Sequence, residues 1–337
     1  MKALVTGASG FIGGNLAREL LRQGFRVRAL VRQDSDRRNI KGLDIEVAVG
    51  DLTVRESLDD ALSGCDVLFH VAASYSFWAP DPRAVYRTNV AGTKNILEAA
   101  SAVGVKKVVY TSSESTIDIA GKRCLGTEEL FADPKKLAGD YKKSKFLAEA
   151  VALDMCRSGL PIVVVNPTTP VGPLDVKPTP TGRIIVDFLN HRMPAYVNTG
   201  LNLVSVEDVA RGHILALEKG KVGERYILGN QNYTLKQILG MLEKITGIAA
   251  PRVRLPLWTA LGAAYVDQFV SGQMLHRQPR IPVAAVKTAG KFRHFDCSKA
   301  AHELGFTPSP VEEALEKAVR WFRENGYANS LLSKIIG

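Results

Sequence analysis

A glycine-rich turn near the start of the chain restricts the fold more than any other sequence feature. The apolar run 2–6 indicates a buried strand, three glycines follow it, and a helical pattern begins at Phe11. Glycines let the backbone turn sharply and approach a pyrophosphate group, whose charge then faces the N-terminus of the helix. The sequence therefore predicts a dinucleotide-binding turn made of Gly7, Gly10, Phe11, Ile12 and Gly13.

Strand and helix patterns alternate through the first half of the chain. The predicted strands are 2–6, 26–31, 45–49, 67–71, 107–112 and 161–166. The predicted helices are 11–21, 85–102, 141–157, 206–218, 235–246 and 310–325. Such alternation implies right-handed crossovers. The predicted fold class is therefore α/β, a Rossmann-type doubly wound parallel sheet with a smaller C-terminal α/β substrate-binding domain.

The predicted domain division begins after Asn166, where the sequence becomes rich in proline. Five prolines lie within 167–182, which disfavours regular structure and indicates a loop on the substrate side. We assign residues 1–166, together with about 203–221, to the dinucleotide-binding domain. We assign about 167–202 and about 222–330 to the substrate-binding domain.

Composition argues against several classes of protein. The four cysteines form no CxxC pair and the six histidines show no metal-binding spacing. We therefore expect no metal site and no disulfide framework, in keeping with a reducing cytoplasm. The run 2–6 is too short for a signal peptide, and 256–272, interrupted by Asp267 and Gln268, is too short to span a membrane. These features predict a soluble, cytoplasmic protein.

Positive charge is concentrated in one segment of a chain whose net charge is +10. Between Arg252 and Lys299 there are eight lysines and arginines and two acidic residues. Such an excess attracts phosphates, anionic lipid or nucleic acid, and a solvated basic face is an equal alternative. Because no nucleic-acid recognition module is visible, we expect no nucleic-acid partner. The apolar segment 256–270 leaves open both the lining of an apolar substrate pocket and contact with a membrane surface.

The end of the second predicted strand indicates which dinucleotide fits. NAD-binding turns place a carboxylate there to accept from the ribose hydroxyl, whereas this strand ends in Val31-Arg32. Arg32 and Arg37 offer guanidinium groups that match a 2′-phosphate. We therefore favour NADP(H) over NAD(H). The alternative is a set of solvated arginines whose charge is diluted by Asp34 and Asp36.

Two further strand ends carry candidate cofactor contacts. Asp51-Leu52 follows the third strand, where the Asp51 carboxylate can accept from an adenine amino group. The histidine that ends the fourth strand, His70, is interpreted as a structural residue. Small residues that let a cofactor pass close to the backbone come next, namely Val71, Ala72 and Ala73.

Three residues form a candidate reaction centre: Ser113, Tyr141 and Lys145. Positions i and i+4 share one face of a helix, so Tyr141 and Lys145 point the same way. A neighbouring ammonium and an oxidised nicotinamide both favour the phenolate, which predicts a lowered pKa and a general acid/base role for Tyr141. Ser113, at the end of the fifth strand, would position a substrate oxygen.

In their order along the chain, these motifs resemble those of the extended short-chain dehydrogenase/reductases. The matching segments are 6–13, 51–52, 70–73, 89–93, 111–113, 141–145 and 166–167, and the likeness runs from residue 1 to about 325. The resemblance implies that Ser113, Tyr141 and Lys145 are the catalytic triad. It also implies that Asn89 supports the active site and contacts the cofactor, and that 167–171, from Pro167 to Val171, contacts the nicotinamide carboxamide.

Two branches of that family are the most similar. Residues 31–36 resemble the dihydroflavonol 4-reductase branch, which reduces ketones with NADPH, and 166–196 is similar to hopanoid-associated sugar epimerases. Glu114 departs from the reductases, which carry a small residue there. Because Ser115 follows it, the acidic pair of related dehydratases is incomplete. A polar group in the substrate pocket and a structural role both remain open for Glu114.

Three functional hypotheses follow. The first is an NADP(H)-dependent oxidoreductase that interconverts a ketone and a secondary alcohol. The second is a nucleotide-sugar epimerase that oxidises its substrate transiently and binds a diphosphate through the basic segment. The third is a non-catalytic binding protein. The resemblance also implies a homodimer formed through helices such as 85–102 and 141–157, while the substrate stays unidentified.

Overall fold

Strands rich in Val, Leu and Ile form the core of the protein as a parallel sheet. The computed structural model describes residues 1–75, 78, 81–121, 124–275, 277, 279 and 282–328. Its strands are β1 (Lys2–Thr6), β2 (Arg26–Val31), β3 (Glu46–Val49), β4 (Val67–His70), β5 (Lys107–Thr111), β6 (Ile162–Pro167), β7 (Thr169–Val171), β8 (Ala195–Val197), β9 (Gly200–Ser205), β10 (Arg225–Leu228), β11 (Gln231–Thr234) and β12 (Val253–Leu255). Seven of them pair in the order β10-β6-β5-β4-β1-β2-β3, all in parallel. The predicted doubly wound α/β fold is confirmed.

Helices cover both faces of this sheet. They are α1 (Phe11–Arg22), α2 (Glu56–Leu62), α3 (Pro82–Tyr86), α4 (Gly92–Ala102), α5 (Asp140–Arg157), α6 (Pro180–Leu189), α7 (Val206–Lys219), α8 (Leu235–Thr246), α9 (Leu257–Asp267), α10 (Val283–Ala289) and α11 (Val311–Glu324). One apolar cluster joins the sheet to α1 and α7, and a second joins it to α2, α4 and α5. Because both faces are covered, the inner strands β4 and β6 are buried along their whole length and largely apolar, whereas β2 and β3 near one edge keep exposed charged residues.

The helix predicted over 85–102 differs from the structure in two ways. It begins earlier, since the Asp81 side chain accepts a hydrogen bond from the Arg83 amide and Pro82 fits a first helical turn. Its middle is a π-helical turn, Arg87–Ala91, which separates α3 from α4. Apolar periodicity does not reveal one extra residue in a turn, so the sequence predicted a single helix.

The proline-rich segment is more regular than predicted. It contains β7, and α6 begins within it at Pro180. The side chain of Thr179 accepts a hydrogen bond from the Gly182 amide, so Thr179 and Pro180 together start the helix. Pro180 thus begins a helix, although the prolines of this segment were predicted only to disfavour regular structure.

A second, smaller layer lies beside the large sheet. Strands β11, β9 and β7 form one small sheet, β12 pairs with β8, and α6, α8 and α11 share an apolar core with the three-stranded sheet. One strand departs from the predicted domain division. Residues 225–228 were assigned to the substrate-binding domain, but they form β10, which pairs with β6 at the edge of the large sheet.

A pair of packed helices near the C-terminal end is called the helical cap below. It consists of α9, the π-helical turn Gln268–Met274 and α10. Ala264, Val283 and Val286 form its small buried core. Among the described helices, none has both the length and the apolar character required to cross a bilayer.

Candidate active site

The turn between β1 and α1 is shaped for a phosphate-bearing ligand. Gly7 has a φ of +72°, and the Gly10 amide donates to the Gly7 carbonyl oxygen over 2.9 Å. A Cβ at Gly13 would overlap that same oxygen, and one at Gly7 would lie 2.8 Å from the Ala72 backbone. No side chain caps the start of α1, so its first amide groups face the cavity. The turn therefore fits the pyrophosphate of a dinucleotide.

One cavity of about 1100 Å³ brings together most of the predicted site residues. Those along its wall are Gly7, Gly10, Phe11, Ile12, Gly13, Arg32, Asp51, Leu52, Val71, Ala72, Ala73, Ser113, Tyr141, Lys145 and Pro167. Most of them follow the carboxyl ends of β1 to β6, where ligands bind in open α/β sheets, and the others lie in the first turns of α1 and α5. The cavity is long enough to join the glycine turn to the reaction centre.

Three predicted cofactor contacts lie outside this cavity. Arg37 borders a separate surface depression with Arg38. Val171 is buried in the apolar core of the smaller layer, because β7 directs its side chain inward. Asn89 lies in the π-helical turn, and its amide donates to Ser144 Oγ over 2.9 Å, while its Oδ1 accepts from the Ser74 amide over 2.6 Å. Asn89 therefore links Ser74, on the cavity wall, to α5 and does not itself line the cavity.

The arginine at the end of β2 stays accessible. Arg32 lines the rim of the cavity, its side chain is 61% exposed, and its nearest carboxylate is Asp34 at 3.6 Å. Arg38, by contrast, is engaged by Asp36 over 2.7 Å. Among the arginines of this loop that the structure describes, Arg32 is therefore the one that a ligand in the cavity can reach.

Ser113 and Tyr141 both line the cavity. Ser113 follows β5 and its Oγ accepts from the Ser115 amide over 3.2 Å, which fixes its rotamer. Tyr141 lies in the first turn of α5, and the edge of its ring meets the Tyr75 ring with centroids 4.6 Å apart. Burial raises the pKa of Tyr141 well above its usual value, the Ser113 side chain opposes this shift, and the charge of Glu114 adds to it.

The protein by itself therefore does not produce the lowered Tyr141 pKa that the sequence predicted. The Lys145 ammonium donates to the Thr111 carbonyl oxygen over 2.7 Å and to the Tyr110 hydroxyl over 3.1 Å. Burial lowers the pKa of Lys145 to about 8, and the charge of Glu149 opposes this shift. Lys145 is thus still largely charged at neutral pH, one helical turn from Tyr141.

A buried polar network holds the Ser113 loop against α5. The Asn166 amide donates to the Ser113 carbonyl oxygen over 3.1 Å and to Glu149 Oε2 over 2.9 Å. Thr116 Oγ1 lies 2.8 Å from the same Glu149 oxygen, and Arg225 Nε pairs with the other oxygen at 3.1 Å. Because these groups are buried and paired, they position Ser113 relative to the helix that carries Tyr141.

The histidine at the end of β4 is structural, as the sequence analysis interpreted it. His70 lies between two hydroxyls, with Nδ1 2.8 Å from Thr6 Oγ1 and Nε2 3.0 Å from Thr93 Oγ1. Burial, together with the charge of Lys145, lowers the pKa of His70 to about 3, so its ring is neutral. It ties β1 to α4 under the glycine turn.

Sequence reasoning missed Lys142. Its side chain is only 7% exposed and lines the cavity, and in the described part of the chain its ammonium makes no hydrogen bond or ion pair. Burial lowers the pKa of Lys142 to about 8, Glu114 raises it, and Arg293 and Lys291 lower it. No pattern in the sequence distinguishes Lys142 from its exposed neighbour Lys143.

Glu114 has both of the roles left open by the sequence. It lines the cavity, and its carboxylate pairs with Arg293, whose Nε donates to Glu114 Oε2 over 2.7 Å. Arg293 also donates to the Glu114 carbonyl oxygen over 2.7 Å. Among the described basic residues of 252–299, Arg293 is the one on the cavity wall. Its charge is already balanced, so the segment offers no described cation cluster for a diphosphate.

The far part of the cavity, called the substrate end, is largely apolar. Its lining includes Ile184, Met193, Leu201, Leu235, Leu255 and Ala260. The last two belong to β12 and the helical cap, so the apolar segment predicted either to line a pocket or to contact a membrane does reach the cavity. Within the described residues, no group of three His, Cys, Asp or Glu side chains is placed to hold a metal ion.

Known proteins are similar to this chain over most of their length. A Synechocystis protein, named provisionally a dihydroflavonol 4-reductase, is 48% identical over 330 residues, covering 97% of this chain and 96% of that protein. Sterol demethylase protein B of Methylococcus capsulatus is 36% identical over 327 residues, covering 97% and 99%. The crystal structure of gox2253 superposes with a TM-score of 0.87 at 43% identity, covering 97% and 99%.

The fold and the glycine turn define a protein of the doubly wound, dinucleotide-binding class. More narrowly, the chain belongs to the NAD dependent epimerase/dehydratase family, whose sequence model matches residues 3–229. The resemblance to the extended short-chain dehydrogenase/reductases is thereby confirmed. Members of this family are NAD(P)-dependent oxidoreductases and epimerases.

Proposed function

We propose that the protein is an NADP(H)-dependent oxidoreductase that interconverts a ketone and a secondary alcohol. One observation carries the proposal: Ser113, Tyr141 and Lys145 line the same cavity as the glycine turn. The glycine turn would hold a nicotinamide dinucleotide in this cavity, and its chemistry would be to supply or accept the hydride. In the direction of reduction, Tyr141 donates its hydroxyl proton to the ketone oxygen while Ser113 orients that oxygen.

Lys145 assists through its charge. Its ammonium is held by Thr111 and Tyr110 at a fixed place beside the Tyr141 helix turn, and it stabilises the phenolate left after proton transfer. The buried network around Glu149 and Asn166 keeps Ser113 in register with α5. Because Ser113, Tyr141 and Lys145 are held in place, they can act on one substrate oxygen without rearrangement. This supports acid/base catalysis at a single carbinol carbon.

Two features support the finer assignments. Arg32 is the accessible cation where the adenine ribose of a dinucleotide would lie, which favours a 2′-phosphate and hence NADP(H). The apolar substrate end suits a large apolar alcohol or ketone, and one relative is named a sterol demethylase protein. Lys142 would then bind an anionic or strongly polar substituent of that substrate.

The test follows a deuterium label through the reaction. Purified protein is incubated with NADPH deuterated at C4 and a panel of cyclic and polycyclic ketones, and the alcohols are analysed by mass spectrometry. We expect deuterium at the carbinol carbon with one NADPH consumed per product. A sugar nucleotide inverted at one carbon without net NADPH consumption would support the epimerase instead. NAD that stays bound through gel filtration would also contradict the proposal.

A further inference from the structure

The outer side of the helical cap exposes large apolar side chains. Trp258 is 74% exposed and Val266 is 65% exposed, and the same surface continues through Tyr265, Phe269, Val270, Met274 and Leu275. Of the residues of α9, only Ala264 is buried. Scattered exposed apolar residues are ordinary, but a run of this size on one element marks a surface that another partner covers.

The inner side of the same element is already occupied. Ala264 packs against Val283 and Val286, and Ala260 and Val286 reach the cavity wall. α9 is apolar around its whole circumference, which is typical of a helix with apolar surroundings on every side. The protein supplies those surroundings on one side only.

Basic residues of the same segment are exposed to solvent. They are Arg252, Arg254, Arg277, Lys287 and Lys291. Lys287 lies beside the exposed apolar surface, since its ammonium is 5.8 Å from the centre of the Tyr265 ring. Asp267 is the only acidic residue between Arg252 and Lys291. The segment that carries the exposed apolar side chains therefore has an excess of positive charge.

We propose that the outer side of the helical cap docks onto the surface of a bilayer that contains anionic lipids. Trp and Tyr side chains are suited to the boundary between headgroups and acyl chains, because one end of each is apolar and the other polar. Lys and Arg side chains can extend from that depth toward negatively charged headgroups. The excess of positive charge between Arg252 and Lys291 complements the negative charge of such headgroups.

The experiment measures co-sedimentation of the full chain with vesicles, which requires no turnover and so does not depend on the proposed reaction. One set of vesicles is phosphatidylcholine alone and the other also contains phosphatidylglycerol. We expect binding to the anionic vesicles that weakens as salt is raised. The double variant Trp258→Ser, Phe269→Ser should bind about tenfold or more weakly, because two aromatic side chains no longer enter the apolar layer.

Two further variants control the measurement. Val222→Ser and Val47→Ser remove exposed apolar side chains outside the cap and should bind vesicles as the wild type does. Thermal unfolding checks that every variant is folded. The proposal is overturned if the wild type does not bind anionic vesicles or if the double variant binds them equally well. A wild type that binds no vesicles and is a dimer, compared with a double variant that is a monomer, would also overturn it. In that case a second copy of the chain covers the surface.

Discussion

The two ends of the cavity are built in different ways. At the cofactor end, backbone and small side chains at the ends of adjacent parallel strands form the wall, and the central strands β1, β4 and β5 behind them are almost entirely buried. At the substrate end, side chains from distant helices and short strands form the wall, and one of those helices, α9, buries a single residue. The first end is determined by backbone geometry and the second by side-chain packing. They should therefore respond differently to the same kind of mutation.

The largest expected effect lies where the two ends meet. Tyr141→Phe removes the acid/base hydroxyl and leaves the ring in place, so kcat should fall by about 10²- to 10⁴-fold. Cofactor binding, measured by fluorescence titration with NADPH, should stay within a few-fold of wild type. Tyr233→Phe, outside the cavity lining, is the control. Unchanged turnover in Tyr141→Phe would revive the non-catalytic hypothesis.

Replacing one helical glycine by alanine at each end of the cavity tests directly whether the two ends respond differently. In α1, Gly13→Ala would place a methyl group against the Gly7 carbonyl oxygen, which should destabilise the fold by about 1–3 kcal/mol and abolish dinucleotide binding. In α9, Gly262→Ala meets no atom within 4 Å, and alanine favours the helix by about 0.5–1 kcal/mol. Thermal unfolding of both variants should shift in opposite directions. Shifts of the same sign would contradict the contrast between the two ends.

Lys142→Met probes the polar group of the substrate end. We expect the KM for an anionic ketone to rise about tenfold, with kcat little changed, because one charge-assisted hydrogen bond is lost. In the wild type the pKa of Lys142 is lowered to about 8, so its positive charge disappears as pH rises through that value and KM should increase. The variant should lack this increase. Lys143→Met, on the exposed neighbour, is the matched control.

The smallest effect is expected at the rim of the cofactor end. Arg32→Ala should raise the KM for NADPH by about tenfold or less, because the side chain is largely exposed and a surface charge contributes modestly. The KM for NADH should not change. Arg37→Ala, which lies outside the cavity, should leave both values as they are. Equal losses for the two cofactors would argue against NADP(H) selection by Arg32.

The sequence predicted the cofactor end because its chemistry is local. The strand, the glycine spacing of residues 7–13 and the helix start are contiguous, so each part confirms the others. Tyr141 and Lys145 are one helical turn apart, which also makes their alignment a local property. Most of the sheet could be inferred for the same reason, since each βα unit has its own signal.

The substrate end could not be predicted in this way. Glu114 is paired because Arg293 returns to the cavity from far along the chain, and the charges of Arg293 and Lys291 also act on Lys142. The π-helical turn that holds Asn89 leaves no mark in apolar periodicity. β10 was placed in the wrong layer because an edge strand of four residues has no signal that distinguishes one sheet from another.

The crowding at Gly13 also limits how this protein can be redesigned. The Gly7 carbonyl oxygen occupies the place where a side chain at position 13 would lie. Gly13 therefore cannot be replaced in order to accept a different cofactor. The loop after β2 has no such restriction, since Arg32 and Asp34 are largely exposed. A mutant library aimed at cofactor exchange would therefore concentrate its diversity in residues 32–38 and keep residues 7–13 fixed.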